Sequence, residues 1–144
     1  MSRIIPHLFF LLALACFTIG LCASEIIDVP DWCLRGILAV ETSSYYRTDG
    51  SIAYINHRTS SAGAIGATQI KSIALRTVHL SSMRYQIATE PGAAEYAATI
   101  YLRWLYRRTG SWPQAVAWYG VGPDGDADDG RDYLRRVLSA SRIY

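Results

Sequence analysis

Apolar residues recur at steps of three or four along most of this chain, a period that favours helices and leaves little room for sheet. It shows in Leu34, Ile37 and Leu38, in Ile70, Ile73, Ala74 and Val78, and through residues 91–110. The one clear exception is Asp49-Gly50, which lies between the β-favouring runs "YYRT" and "SIAYI" and is the commonest short hairpin signal. The expectation is a mainly α domain of five or six helices with one small β-hairpin. Asp31, following Pro30, is expected to cap a first helix running to about Ser43. A small-residue loop, "TSSAGAIGA", is expected to give way to a helix near Thr68, with a short helix after it through "SSMRYQIA". The longest helix is expected between Pro91-Gly92 and Gly110, with Arg107 and Arg108 against its negative end. "WPQAVAWYG" reads as a further helix with Pro113 in its first turn. "RDYLRRVLSA" reads as the last helix, capped by Asp129.

The first 23 residues read differently. Arg3 precedes an almost unbroken apolar run at residues 8–21, and the small Ala23 follows. That order suits a secretory signal peptide over residues 1–23, with a signal-anchor as the alternative. Cys22 follows Leu21 rather than a small residue, which argues against a lipid-accepting cysteine. Loss of the leader would leave Cys33 alone, so no internal disulfide is expected, and Cys33 reads as a small buried hydrophobe. The remaining residues 24–144, about 120 of them, can bury one core without a metal or disulfide staple. An exported protein is implied, periplasmic or secreted, or held at the inner membrane if the leader is retained.

A net charge of +2 argues against nucleic acid as a partner. Of the 14 basic residues 13 are Arg, which suits carboxylate-bearing partners and equally suits a bias of genome composition. Four Trp and ten Tyr suit a groove for sugars and also suit a well-filled core. Residues 124–130, "DGDADDG", begin like a calcium loop, but the sixth position from Asp124 is Asp129 and the twelfth is Arg135, where glycine and an acid are needed. His57 and His79 lack paired zinc spacing and read as surface or groove residues. No metal and no cofactor are expected.

Glu41 continues the Leu34, Ile37, Leu38 face into the last turn of its helix. Desolvation and the negative helix end both disfavour an anion there. A carboxyl kept protonated can hand its proton to a leaving group. A structural glutamate paired with an arginine, or turned out to solvent, is the competing reading.

Four segments in order resemble the lytic transglycosylases of the lysozyme-like superfamily. "ILAVETSS" resembles the block around their catalytic glutamate, with Thr42 where serine is usual. "SSAGAIGATQI" is similar to the Ser-x-x-Gly-Ala-x-Gly-x-x-Gln motif through Ser60, Gly63, Ala64, Gly66 and Gln69. "AVAWYGVG" resembles the Ala-Tyr-Asn-Ala-Gly block, with Gly120 in place of Asn, and "YLRRVL" the tyrosine-led terminal helix, with Tyr133. The resemblance implies a lysozyme-like fold around a cleft that holds glycan strands of peptidoglycan. It implies Glu41 as the catalytic acid and base, with Ser60, Gln69 and Tyr119 as substrate-binding residues. Gln69 would meet an N-acetyl group or hydroxyl, and Tyr119 would donate to Glu41. Cell-envelope machinery is a further expected partner.

Most glycosidases need a second carboxylate. Between Glu41 and Glu90 the only other acid is Asp49, at an expected turn tip. A one-acid lytic transglycosylase is therefore the leading expectation. A hydrolase of the goose-type lysozyme kind, with Asp49 assisting, and a non-catalytic wall-binding or assembly module with a relict cleft at Gly120 stand as alternatives.

Overall fold

The computed structural model describes residues 26–54 and 59–143. The leader, Cys22 and His57 lie outside them. Six helices and a two-stranded antiparallel sheet follow in order: α1 (Asp31–Thr42), β1 (Tyr45–Tyr46), β2 (Ile52–Ala53), α2 (Ser72–Thr77), α3 (Arg84–Thr89), α4 (Pro91–Thr109), α5 (Trp112–Val121) and α6 (Ala127–Ala140). A single 3-10 turn, Ser81–Met83, leads into α3. The mainly α architecture with one small hairpin is as the periodicity indicates.

Helix α4 carries the core. Ala94, Ala97, Ala98, Tyr101, Leu102 and Leu105 recur on one buried face, and the fully covered Leu102 and Leu105 each contribute roughly 2 kcal/mol by leaving water. Packed around that face are Cys33, Ile37 and Leu38 of α1, Ile87 of α3 and Val116 of α5. Helix α6 lies along both α1 and α5. A Cβ on Gly36 would come within 2.4 Å of the Val137 carbonyl oxygen. Only a residue with no side chain lets α1 and α6 approach that closely.

Helices α1 and α4 end for local reasons. Ser43 takes the left-handed conformation (φ 57°) after α1. Its N–H donates to Ala39, and the N–H of Ser44 donates back to Leu38, closing the helix with two crossed bonds. Gly110, at φ 64°, stops α4 beyond Arg107 and Arg108, while Ser111 Oγ caps α5 by accepting from the N–H of Gln114.

Three sequence expectations need correction. Pro30 occupies the cap position of α1, and Asp31 is the first helical residue, where its charge still favours the helix N-terminus. The cap of α6 is Asp126, whose Oδ1 accepts from the N–H groups of Asp128 and Asp129, so the helix begins four residues before Arg131. Residues 65–70 form a tight loop closed by a mutual backbone pair of Ile65 and Ile70, and α2 starts only at Ser72.

The hairpin pairs Tyr45 with Ala53 and Tyr46 with Ile52. The Tyr46 hydroxyl donates to Glu95 Oε1 at 2.6 Å and ties the hairpin to α4. Arg103 Nε donates to the Ile27 carbonyl at 2.7 Å, which straps the incoming chain across the same helix.

Candidate active site

Glu41 sits half-buried in the last turn of α1. Its Oε1 accepts a hydrogen bond from the Tyr133 hydroxyl at 2.7 Å, a contact between residues 92 positions apart in sequence. Tyr133 is 4% exposed. Burial first, then the charge of Glu41, holds its hydroxyl well above the usual tyrosine range, so this donor keeps its proton at any working pH. Arg136 lies over the ring, 5.4 Å from its centre.

Beneath the acid, the end of α1 is bonded to the glycine loop. Thr42 is buried and has one proton to give. It lies 2.7 Å from the Ala67 carbonyl and 3.4 Å from that of Leu38, so the Ala67 bond is the stronger claimant. Ser44 Oγ, 2.7 Å away, then serves as donor to Thr42. The hydroxyl that Thr42 shares with serine therefore locks the residue after Glu41 to the loop.

The loop is over-determined. Gly66 has φ 74°, and a Cβ there would meet the Ile87 carbonyl oxygen at 2.2 Å, so glycine is required for both conformation and space. Ser60 Oγ accepts from the Ala64 N–H at 3.0 Å. Thr68 donates to the Ala94 carbonyl at 3.2 Å, and the Thr68 carbonyl accepts from the Tyr119 hydroxyl at 3.0 Å. Gln69 takes an unusual positive φ of 47° and returns its Nε2 to the Gly66 carbonyl at 3.0 Å.

A cavity of about 300 Å³ opens beside this loop, with Gln69, Lys71, Tyr101, Trp104, Tyr119 and Asp124 among its walls. The rings of Tyr101 and Trp104 stack at 5.8 Å. Tyr119 lines the cavity and feels the charge of Glu41. Its hydroxyl is raised above the usual range by burial, and the charge of Glu41 adds to that rise.

The structure thus brings Gln69 and Tyr119 to one cavity; Glu41 is not among the residues of its wall and is linked to it through Tyr119, whose hydroxyl feels the Glu41 charge. Ser60 is not in that wall, and its side chain holds the loop instead. The expected Tyr119–Glu41 bond is corrected: Tyr119 donates to Thr68, and a donor to Glu41 among the described residues is Tyr133. Tyr133 was visible in the sequence as the head of the terminal helix block, but the partner of its hydroxyl was not. Asp49 is exposed at the hairpin turn, where its Oδ1 accepts from both the hydroxyl and the N–H of Ser51, interactions that hold its carboxyl below the usual range. His79 is exposed, also with positive φ.

Searches of protein-family models, curated proteins and solved structures found no match to this chain.

Proposed function

We propose that this protein is a peptidoglycan lytic transglycosylase that cleaves the β-1,4 bond between N-acetylmuramic acid and N-acetylglucosamine, with Glu41 as the single general acid and base. The observation that carries the reading is the Tyr133 bond to Glu41. A carboxyl on an apolar helix face, half withdrawn from water and oriented by a buried donor, supports a role in proton transfer to a bound sugar. The cavity walled by Gln69 and aromatic rings is linked to it through Tyr119, whose hydroxyl feels the Glu41 charge.

The steps follow from that arrangement. With Oε1 accepting from Tyr133, the acid proton is carried on Oε2. Glu41 gives it to the glycosidic oxygen as the bond to the anomeric carbon breaks, and the bonding pair leaves with that oxygen. The N-acetyl oxygen of the same sugar stabilises the cationic carbon. Glu41, now a carboxylate, removes the proton from the C6 hydroxyl, whose oxygen closes on the anomeric carbon to give a 1,6-anhydro ring. Glu41 ends protonated, and no water is consumed.

Two features weigh against the alternatives. Asp49 is engaged in its own turn, which argues against a hydrolase assisted by it. Gly120, the feature behind the relict-cleft reading, is occupied by the Tyr133 ring that reaches Glu41, so the lost Asn side chain is not an empty cleft. Export is part of the proposal. No described helix is long and apolar enough to cross a membrane.

The test is release of soluble muropeptides from purified sacculi. Glu41→Gln keeps the shape of the side chain and removes the proton, and a loss of about 10²-fold or more is expected. Full activity in Glu41→Gln would exclude both enzyme readings.

A further inference from the structure

We infer that Gly120 is a positioning residue for Glu41: the absence of a side chain there lets the Tyr133 ring lie against α5 with its hydroxyl on the carboxylate. A Cβ on Gly120 would lie 2.4 Å from Tyr133 Cγ and 2.6 and 2.7 Å from Cδ1 and Cδ2. These are the ring atoms nearest the backbone, not a flexible tip, so the ring can yield only by moving bodily. Tyr133 is 4% exposed, and any such movement carries its hydroxyl away from the 2.7 Å contact with Glu41.

The glycine has no other evident reason to be there. It is inside α5 and not among the glycines with positive φ, so its backbone needs no special freedom. Glycine is also a poorer helix former than alanine. On its carbonyl Gly120 meets Lys71, the only lysine in the chain, which donates from Nζ at 3.3 Å and also walls the cavity. A continuous series of contacts therefore runs from the cavity through Lys71, Gly120 and Tyr133 to the carboxylate. The ionisable groups acting on the Tyr133 hydroxyl are Glu41 of α1, Tyr119 of α5 and Arg136 of its own helix.

The catalytic meaning of this arrangement rests on the proposed role of Glu41, whereas the arrangement itself is read without substrate. The experiment is the titration of the Glu41 carboxyl carbon by NMR in the full chain, in wild type, Gly120→Ala, Tyr133→Phe and the double variant. Removing a donor to the anion raises the midpoint. Gly120→Ala and Tyr133→Phe are each expected to shift it upward, and the double variant no further than Tyr133→Phe alone. Where Gly120→Ala fails to fold, adding Tyr133→Ala is expected to restore helical circular dichroism and to give the titration of Tyr133→Ala alone. A folded Gly120→Ala protein with an unshifted midpoint, or a Tyr133→Ala background that gives no rescue, overturns the inference. Expected titrations in a protein that releases no muropeptide would refute the proposed reaction and leave this inference standing.

Discussion

Thr42 shows how much one hydroxyl can hold. It joins the residue after the acid to the glycine loop through the Ala67 carbonyl. Val keeps its shape but leaves that carbonyl without its donor, a cost of about 1–3 kcal/mol. Serine keeps the donor and loses a methyl, about 1 kcal/mol. Chemical denaturation should therefore rank wild type above Thr42→Ser and Thr42→Ser above Thr42→Val. Equal stability of Thr42→Val and wild type would mean that the hydroxyl does not hold the loop. Which tyrosine reaches Glu41 was not legible at this scale. Tyr119 and Tyr133 are both tyrosines of helices packed near α1 or α6, and the close approach of α1 and α6 at Gly36 and Val137 is what brings Tyr133 to Glu41.

Among the elements, the 59–70 loop is the one whose backbone was hardest to read, and Gly66 within it cannot carry a side chain. Helices α4 and α5 announced themselves through Pro91, Gly110 and Pro113. The start of α6 did not, because Asp128 and Asp129 read as a solvated loop, although acids are equally at home in a first helical turn. Ile70 fell on a helical period while actually closing a loop with Ile65, since a period alone does not reveal two backbone hydrogen bonds. At Gly66 both conformation and space forbid a side chain. Gly66→Ala should destabilise the fold by roughly 3 kcal/mol or more, lowering the thermal midpoint. Gly63→Ala meets only the conformational part, because nothing lies within 4 Å of its Cβ position, and should cost distinctly less. A reversed order would contradict this account of the loop.

At the level of the whole molecule, the helical class and the single hairpin followed from periodicity and one Asp-Gly pair, while the pairing of distant helices did not. The core also carries an alkaline liability. Burial pushes the Cys33 thiol from its ordinary 9.0 up to about 12. Burial likewise raises the hydroxyls of Tyr46, Tyr101, Tyr119 and Tyr133, with Glu95 adding to the rise at Tyr46. All five are acids whose folded values lie above their unfolded ones. Their contribution is complete below about pH 9 and is lost as pH climbs through the folded values, because the unfolded chain ionises first. Denaturant midpoints should fall steadily above about pH 9, and tyrosinate absorbance from the buried rings should appear in step with the loss of helical circular dichroism. Full ionisation of all ten tyrosines in a chain still fully helical would contradict the burial of these side chains.

The most direct measurement of the central claim is the mass of the glycan ends that the full chain releases from sacculi. A lone carboxyl working first as acid and then as base predicts muropeptides ending in 1,6-anhydro-N-acetylmuramic acid, each lighter by one water than the hydrolysed product, and their loss in Glu41→Gln. Hydrated reducing ends as the main product, or anhydro ends that persist in Glu41→Gln, would contradict it.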